Sequence, residues 1–125
     1  MITHFEAPWG SPASYSQAVT DGNLIFVCGQ LGVAPGDPPT PFEEQARTAL
    51  GRLLTSVERA GGDVETILKI NGYLADLADF PAYDRIYREL VAVDPKPART
   101  TVQIGAFAPP ILIEVDAIAL RRKES

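Results

Sequence analysis

The sequence predicts an α+β domain in which two helices cover one face of a mixed β-sheet. Three observations predict it. Residues 41–60 and roughly 80–92 carry apolar side chains at helical spacing. Strand-type runs lie at 24–31, 66–75, 99–105 and 111–120. Proline and glycine clusters punctuate the junctions. The order is strand, helix, strand, helix, strand, strand, with short strands expected ahead of the first, and it suits helices gathered on one side of a sheet. The 125 residues fit one domain, 1–125, which can bury a core without disulfide or metal staples.

Residues 24–31 (LIFVCGQL) read as a buried strand. The loop after it holds Pro35, Gly36, Asp37, Pro38 and Pro39, which exclude regular structure. In the first helix Thr40 fits the N-cap, Pro41 the first helical position, and Glu43 and Glu44 the positive end of the dipole. Its apolar stripe runs through Phe42, Ala46, Ala49, Leu50, Leu53, Val57 and Ala60, and Gly61-Gly62 ends it. The second helix is capped at Asp79 or a neighbour. Phe80, Tyr83, Tyr87, Leu90 and Val91 form its stripe, and Asp94-Pro95-Lys96-Pro97 stops it.

The last two runs read as core strands. In 111–120, Ile111, Ile113, Val115, Ala117 and Ala119 alternate onto one side, and Leu112, Glu114, Asp116, Ile118 and Leu120 onto the other. In the preceding run Arg99, Thr101 and Gln103 share a side. The resulting mixed polar and apolar face is expected to be free of helices and buried against another subunit with its charges paired.

Composition narrows the function. Apolar residues make up 46% of the chain and charged residues 22%, so a folded domain is expected rather than a disordered one. The net charge of −5 weighs against a protein that lives on phosphate backbones. One cysteine, Cys28, allows no intrachain disulfide, and one histidine, His4, leaves neither a His/Cys zinc site nor a histidine-based triad. No metal and no cofactor are expected. The N-terminus lacks a signal-peptide pattern and no apolar run is long enough for a bilayer, so the expected location is the cytosol.

Four segments, taken in order and spacing, resemble the YjgF/RidA family of reactive-intermediate deaminases, also described as endoribonuclease L-PSP-like. They are Ser14-Tyr15-Ser16-Gln17-Ala18-Val19, Cys28-Gly29-Gln30, Pro97-Ala98-Arg99-Thr100-Thr101-Val102 and Ile113-Glu114-Val115-Asp116-Ala117-Ile118-Ala119. Glu44-Gln45 and the Phe80 to Tyr87 stretch fall where that family has its helices, and the likeness runs from about Pro12 to Leu120. The resemblance implies a chorismate-mutase-like fold assembled as a homotrimer, with a site in each cleft between subunits. It implies that Arg99 binds a substrate carboxylate and that Glu114 positions or protonates around the attacking water. It further implies that Tyr15, the backbone of Gly29 and the backbone near Thr101 line the pocket. Cys28 replaces a usual serine, Thr101 a frequent cysteine, and Asp84 and Arg52 frequent asparagines.

Read alone, the same residues keep other meanings. Arg99 suits bidentate binding of a carboxylate, or a structural salt bridge to Asp116 or Glu114. Glu114 suits proton transfer with a pKa raised by burial, or pairing with Arg99, or an edge facing solvent. Tyr15 closes a pocket or packs in a loop, and Gly29 admits a ligand or marks a strand irregularity. Asp116 reads as structural, Cys28 as a small buried residue, and Arg121-Arg122-Lys123 as a solvated tail. The leading expectation is hydrolysis of 2-aminoacrylate-type enamines and imines to 2-keto acids and ammonia. The partners are then a small carboxylate-bearing substrate and further copies of the chain, with neither nucleic acid nor membrane. The alternatives are a non-catalytic module that binds small carboxylates, and ribonuclease activity of the kind attributed to some relatives.

Overall fold

The computed structural model describes residues 1–7 and 14–123. Pro12, near which the family likeness begins, lies outside the described residues. Among the described residues six strands form one sheet: β1 Thr3–Phe5, β2 Ala18–Thr20, β3 Leu24–Leu31, β4 Ile67–Leu74, β5 Ala98–Gln103 and β6 Ile113–Leu120. Their spatial order is β1-β2-β3-β6-β4-β5. Only β4 and β5 run parallel, joined across helix α2 (Phe80–Leu90). Helix α1 (Phe42–Arg59) connects β3 to β4. Both helices lie on one face, giving the expected mixed sheet with a two-helix layer.

The alternation anticipated in the last run is present. Ile113, Val115, Ala117 and Ala119 of β6 are buried under the helices together with Ile25, Val27, Ile70, Leu50, Leu53, Val57 and Ile86. Burying the valines, leucines and isoleucines among them contributes about 1.5–3 kcal/mol each, and this layer holds the sheet to the helices. Glu114, Asp116, Ile118 and Leu120 point to the other face. That face also exposes Phe26 and Val102.

Helix α1 starts one residue later than expected. Pro41 is the N-cap and no side chain caps the turn. Instead Gln45, fully buried, donates from Nε2 to the carbonyls of Thr40 (3.1 Å) and Pro110 (2.9 Å), and its Oε1 accepts from the Leu112 N–H (2.9 Å). The helix ends as the glycines foretell. Gly61 adopts φ +105°, and Gly61 and Gly62 donate backward to Glu58 and Val57.

Two expectations about the 99–105 run need correction. It is an edge strand, β5, and not a core one, because β4 occupies its single paired side. Its Arg99 side faces the helices and is not the open side. The parallel register sets Arg99 beside Ile70, a core residue under the helices, so both side chains leave the sheet in the same direction.

Candidate active site

Arg99 is built into place by helix α2. Phe80, Tyr83, Asp84 and Tyr87 recur at i, i+3, i+4 and i+7, so one helical stripe offers three rings and a carboxylate to the edge strand. The Arg99 guanidinium carbon lies 4.8 Å from the Tyr87 ring centroid, 5.3 Å from Phe80 and 6.0 Å from Tyr83. A weakly hydrated planar cation tolerates such faces, and each contributes about 0.5–1 kcal/mol when partly exposed. Asp84 fixes the remaining freedom: its Oδ1 accepts from Arg99 Nη1 at 2.8 Å, and its Oδ2 from Arg88 Nε at 3.0 Å. The Arg99 hydrogen bond, with help from Arg88, holds the Asp84 carboxyl below the usual carboxylate range, against its own desolvation. The Arg99 side chain keeps 26% of its surface exposed in this ion pair.

Glu114 belongs to a second cluster. Strand β3 carries a bulge between Val27 and Gln30, where Cys28 and Gly29 together oppose Asp116 of β6. Bulges re-aim side chains and recur near active sites. Here the bulge brings the bare Cα of Gly29 against the Glu114 carboxylate: a Cβ at position 29 would lie 2.3 Å from Glu114 Oε2. Burial, and then the charge of Asp116, push the Glu114 carboxyl above its ordinary value. Asp116 itself accepts from Asn71 Nδ2 (2.8 Å) and from the Tyr73 hydroxyl (2.9 Å), a structural engagement within the chain. Burial and the Glu114 charge also raise the Cys28 thiol, which keeps it protonated and unreactive at neutral pH.

The two clusters do not meet within one chain. Arg99 projects to the helix side and Glu114 to the open side. Strand β4 separates their strands, and the register sets Arg99 level with Ala117, three residues from Glu114. Two strand spacings and three residues of rise put the two Cα atoms about 14 Å apart, with side chains diverging. Neither salt bridge considered for Arg99, to Asp116 or to Glu114, is therefore formed; Asp84 takes that place. Thr101 shares the helix side with Arg99, and its buried hydroxyl has no partner among the described residues. Tyr15, 66% exposed, precedes β2. Arg52 donates to the Leu31 carbonyl at 3.2 Å. Among the described residues no three His, Cys, Asp or Glu side chains gather as metal ligands.

Two contributors escaped the sequence reading. The Asp84–Arg99 pairing was legible only as a carboxylate within the aromatic stripe of α2, one position after Tyr83. The Asn71–Tyr73–Asp116 triad carried no signal, because it depends on the β4–β6 register.

The endoribonuclease L-PSP family model matches residues 6–121. The chain therefore belongs to that family, the one also called YjgF/RidA. A Schizosaccharomyces pombe protein, mmf2, mitochondrial by name, is 41% identical over 92 residues, 73% of this chain and 72% of its own. A RutC family protein from Pyrococcus abyssi is 35% identical over 113 residues, 86% of each chain. The crystal structure of Escherichia coli TdcF with bound serine superposes with a TM-score of 0.80 at 31% identity, covering 90% of this chain and 92% of that one. By sequence, TdcF is named as a candidate reactive intermediate deaminase.

Proposed function

We propose that the chain is a hydrolytic deaminase that converts reactive enamines and imines of the 2-aminoacrylate and 2-imino acid type into 2-keto acids and ammonia. The observation that carries the reading is Glu114: a half-buried carboxylate set against bare glycine backbone, which burial and the charge of Asp116 push above its ordinary pKa within the chain. A carboxyl raised in this way is a better proton acceptor and carrier than an exposed glutamate. The name given to TdcF and the serine bound to it support a ligand with an amino-acid carboxylate.

Because Arg99 and Glu114 leave opposite faces of one sheet, each site draws on two copies of the chain. One supplies Arg99 and the backbone at Thr101, and the next supplies Glu114 and Gly29, as in the homotrimer that the sequence led us to expect. Tyr15 closes the pocket. The proposed compartment is the cytosol.

In the proposed reaction Arg99 holds the carboxylate through two parallel N–H bonds. An enamine first takes a proton from solvent at its terminal carbon, releases one from nitrogen, and becomes the imine. Water then adds to the imine carbon while Glu114 accepts its proton and returns it to nitrogen. The carbinolamine's hydroxyl proton passes through Glu114 to the nitrogen, the C–N bond breaks, and ammonia leaves from the 2-keto acid. Arg99→Ala is expected to abolish ammonia release from freshly generated 2-iminobutyrate while the assembly persists; undiminished turnover overturns the mechanism. Glu114→Gln is expected to bind 2-oxobutyrate and to turn over about 10²–10⁴-fold more slowly. Wild-type protein that binds 2-oxobutyrate and turns over nothing is instead a carboxylate-binding module.

A further inference from the structure

Beside Arg99 lies a recess of about 600 Å³ lined by Asp84, Tyr87, Arg88, Lys96, Pro97 and Arg99. The whole chain carries a net charge of −5, yet three of the four charged groups around this recess are cations. Asp84 neutralises only one of them. It engages a single nitrogen of each guanidinium, Nη1 of Arg99 and Nε of Arg88. A guanidinium offers five N–H donors, so both arginines keep donors for a further anion. The Arg88 side chain is 74% exposed, with its Nε held by Asp84 and its remaining N–H groups toward solvent. Among the described residues Lys96 makes one long contact, 3.4 Å to the Val91 carbonyl, and is otherwise exposed. Tyr87 is nearly fully buried and supplies the floor, with a hydroxyl that has no partner among the described residues.

A monocarboxylate held by Arg99 leaves Arg88 and Lys96 unused. A ligand with two acid groups uses them. We propose that the recess takes a second anionic group, so that the site prefers 2-oxo diacids and their imino precursors to monoacids. The inference rests on the reading of Arg99 as the anchor of the first carboxylate. The residues that one chain gives to the recess keep a net charge of two positive units with Asp84 counted, which suits a dianion better than a monoanion. Its apolar wall, Tyr87 and Pro97, suits the short methylene chain between the acid groups.

Calorimetric titration of the intact protein with 2-oxobutyrate and 2-oxoglutarate, at low and at physiological salt, tests this. The diacid is expected to bind at least about fivefold more tightly, the effect of one or two partly screened ion pairs, and the margin shrinks as salt rises. In Lys96→Gln, and further in Arg88→Gln/Lys96→Gln, the ratio of the two constants falls toward one. Equal binding of both acids by the wild type, or a ratio that survives both substitutions, overturns the second-acid site and leaves Arg99 as anchor. Binding of neither acid by the wild type overturns the anchor itself. Size-exclusion chromatography runs beside it: variants that lose their assembly instead of their discrimination assign Arg88 and Lys96 to subunit contact and overturn the inference.

Discussion

Replacing Gly29 by alanine separates the chemistry of the site from the stability of the fold. The added Cβ would lie 2.3 Å from Glu114 Oε2, 2.5 Å from Cδ and 2.9 Å from Cγ. An ordinary contact begins near 3.4 Å, so the carboxylate must retreat by about 1 Å. The retreating atoms are the free end of a flexible side chain. An off-rotamer glutamate costs about 0.5–1.5 kcal/mol, and the lost freedom of glycine in the unfolded chain returns about 0.4–1 kcal/mol. Stability therefore changes by under about 1 kcal/mol, whereas a reacting group misplaced by 1 Å lowers turnover by about 10²-fold. Gly32→Ala is the contrast. There the Cβ would lie 2.3 Å from the Gln45 carbonyl oxygen and 2.5 Å from its Cα, backbone of α1 held by the three Gln45 hydrogen bonds. That variant is expected to lose about 3 kcal/mol, the upper range for overpacking. Urea unfolding and ammonia release from 2-iminobutyrate measure the two quantities. Adding Gly29→Ala to Glu114→Ala should then be neutral or slightly stabilising. A Gly29→Ala protein that is fully active, or as unstable as Gly32→Ala, refutes the placement of Glu114 against the bulge.

Other outcomes follow from the same geometry. Glu114, raised in the folded protein, binds a proton that the unfolded chain has released; its contribution to stability is complete below the ordinary glutamate pKa and declines as pH rises through the raised value, so Glu114→Gln should flatten the decline in stability above pH 4.5. Asp84 has the opposite sign: its lowered pKa adds stability above the usual carboxylate range that disappears as pH falls through the folded value, so Asp84→Asn should blunt acid unfolding. The same substitution frees Arg99 of a competing carboxylate and should tighten 2-oxobutyrate binding by about two- to fivefold in calorimetry. The Tyr83 hydroxyl is buried without a partner among the described residues, so Tyr83→Phe should be neutral or stabilising by up to about 1 kcal/mol in urea unfolding. Gly72→Ala sets a Cβ 2.8 Å from that hydroxyl and should destabilise; the penalty should shrink in the Tyr83→Phe background.

The helices and strands were legible because their periodicities are strong. The stripe from Phe42 to Val57 and the alternation from Ile113 to Ala119 each bury one complete face, and no slip of register preserves that. What sequence did not convey was which side of the sheet each strand of the site faces. Arg99, Thr101 and Gln103 do share a side, but only the parallel pairing of Arg99 with Ile70 tells that this is the helix side. The run 99–105 reads as core because its residue types are strand formers, and an edge position is a property of topology rather than composition. The residues now proposed for the site were named from the family pattern. The Cys28–Gly29 bulge and the Asp84 clamp depend on contacts distant in sequence, and local spacing does not encode them.

Mixing the two variants expected to be inactive tests the proposed shared site most directly. On the proposed trimer, Arg99→Ala and Glu114→Gln, dissociated and reassembled together in equal amounts, would scramble into rings in which about a quarter of the interfaces join an intact Arg99 to a neighbour's intact Glu114. The account predicts ammonia release at about a quarter of the wild-type rate, absent from either protein alone. No recovery, with hybrid rings verified by native mass spectrometry, would contradict a site that takes its guanidinium and its acid from different copies.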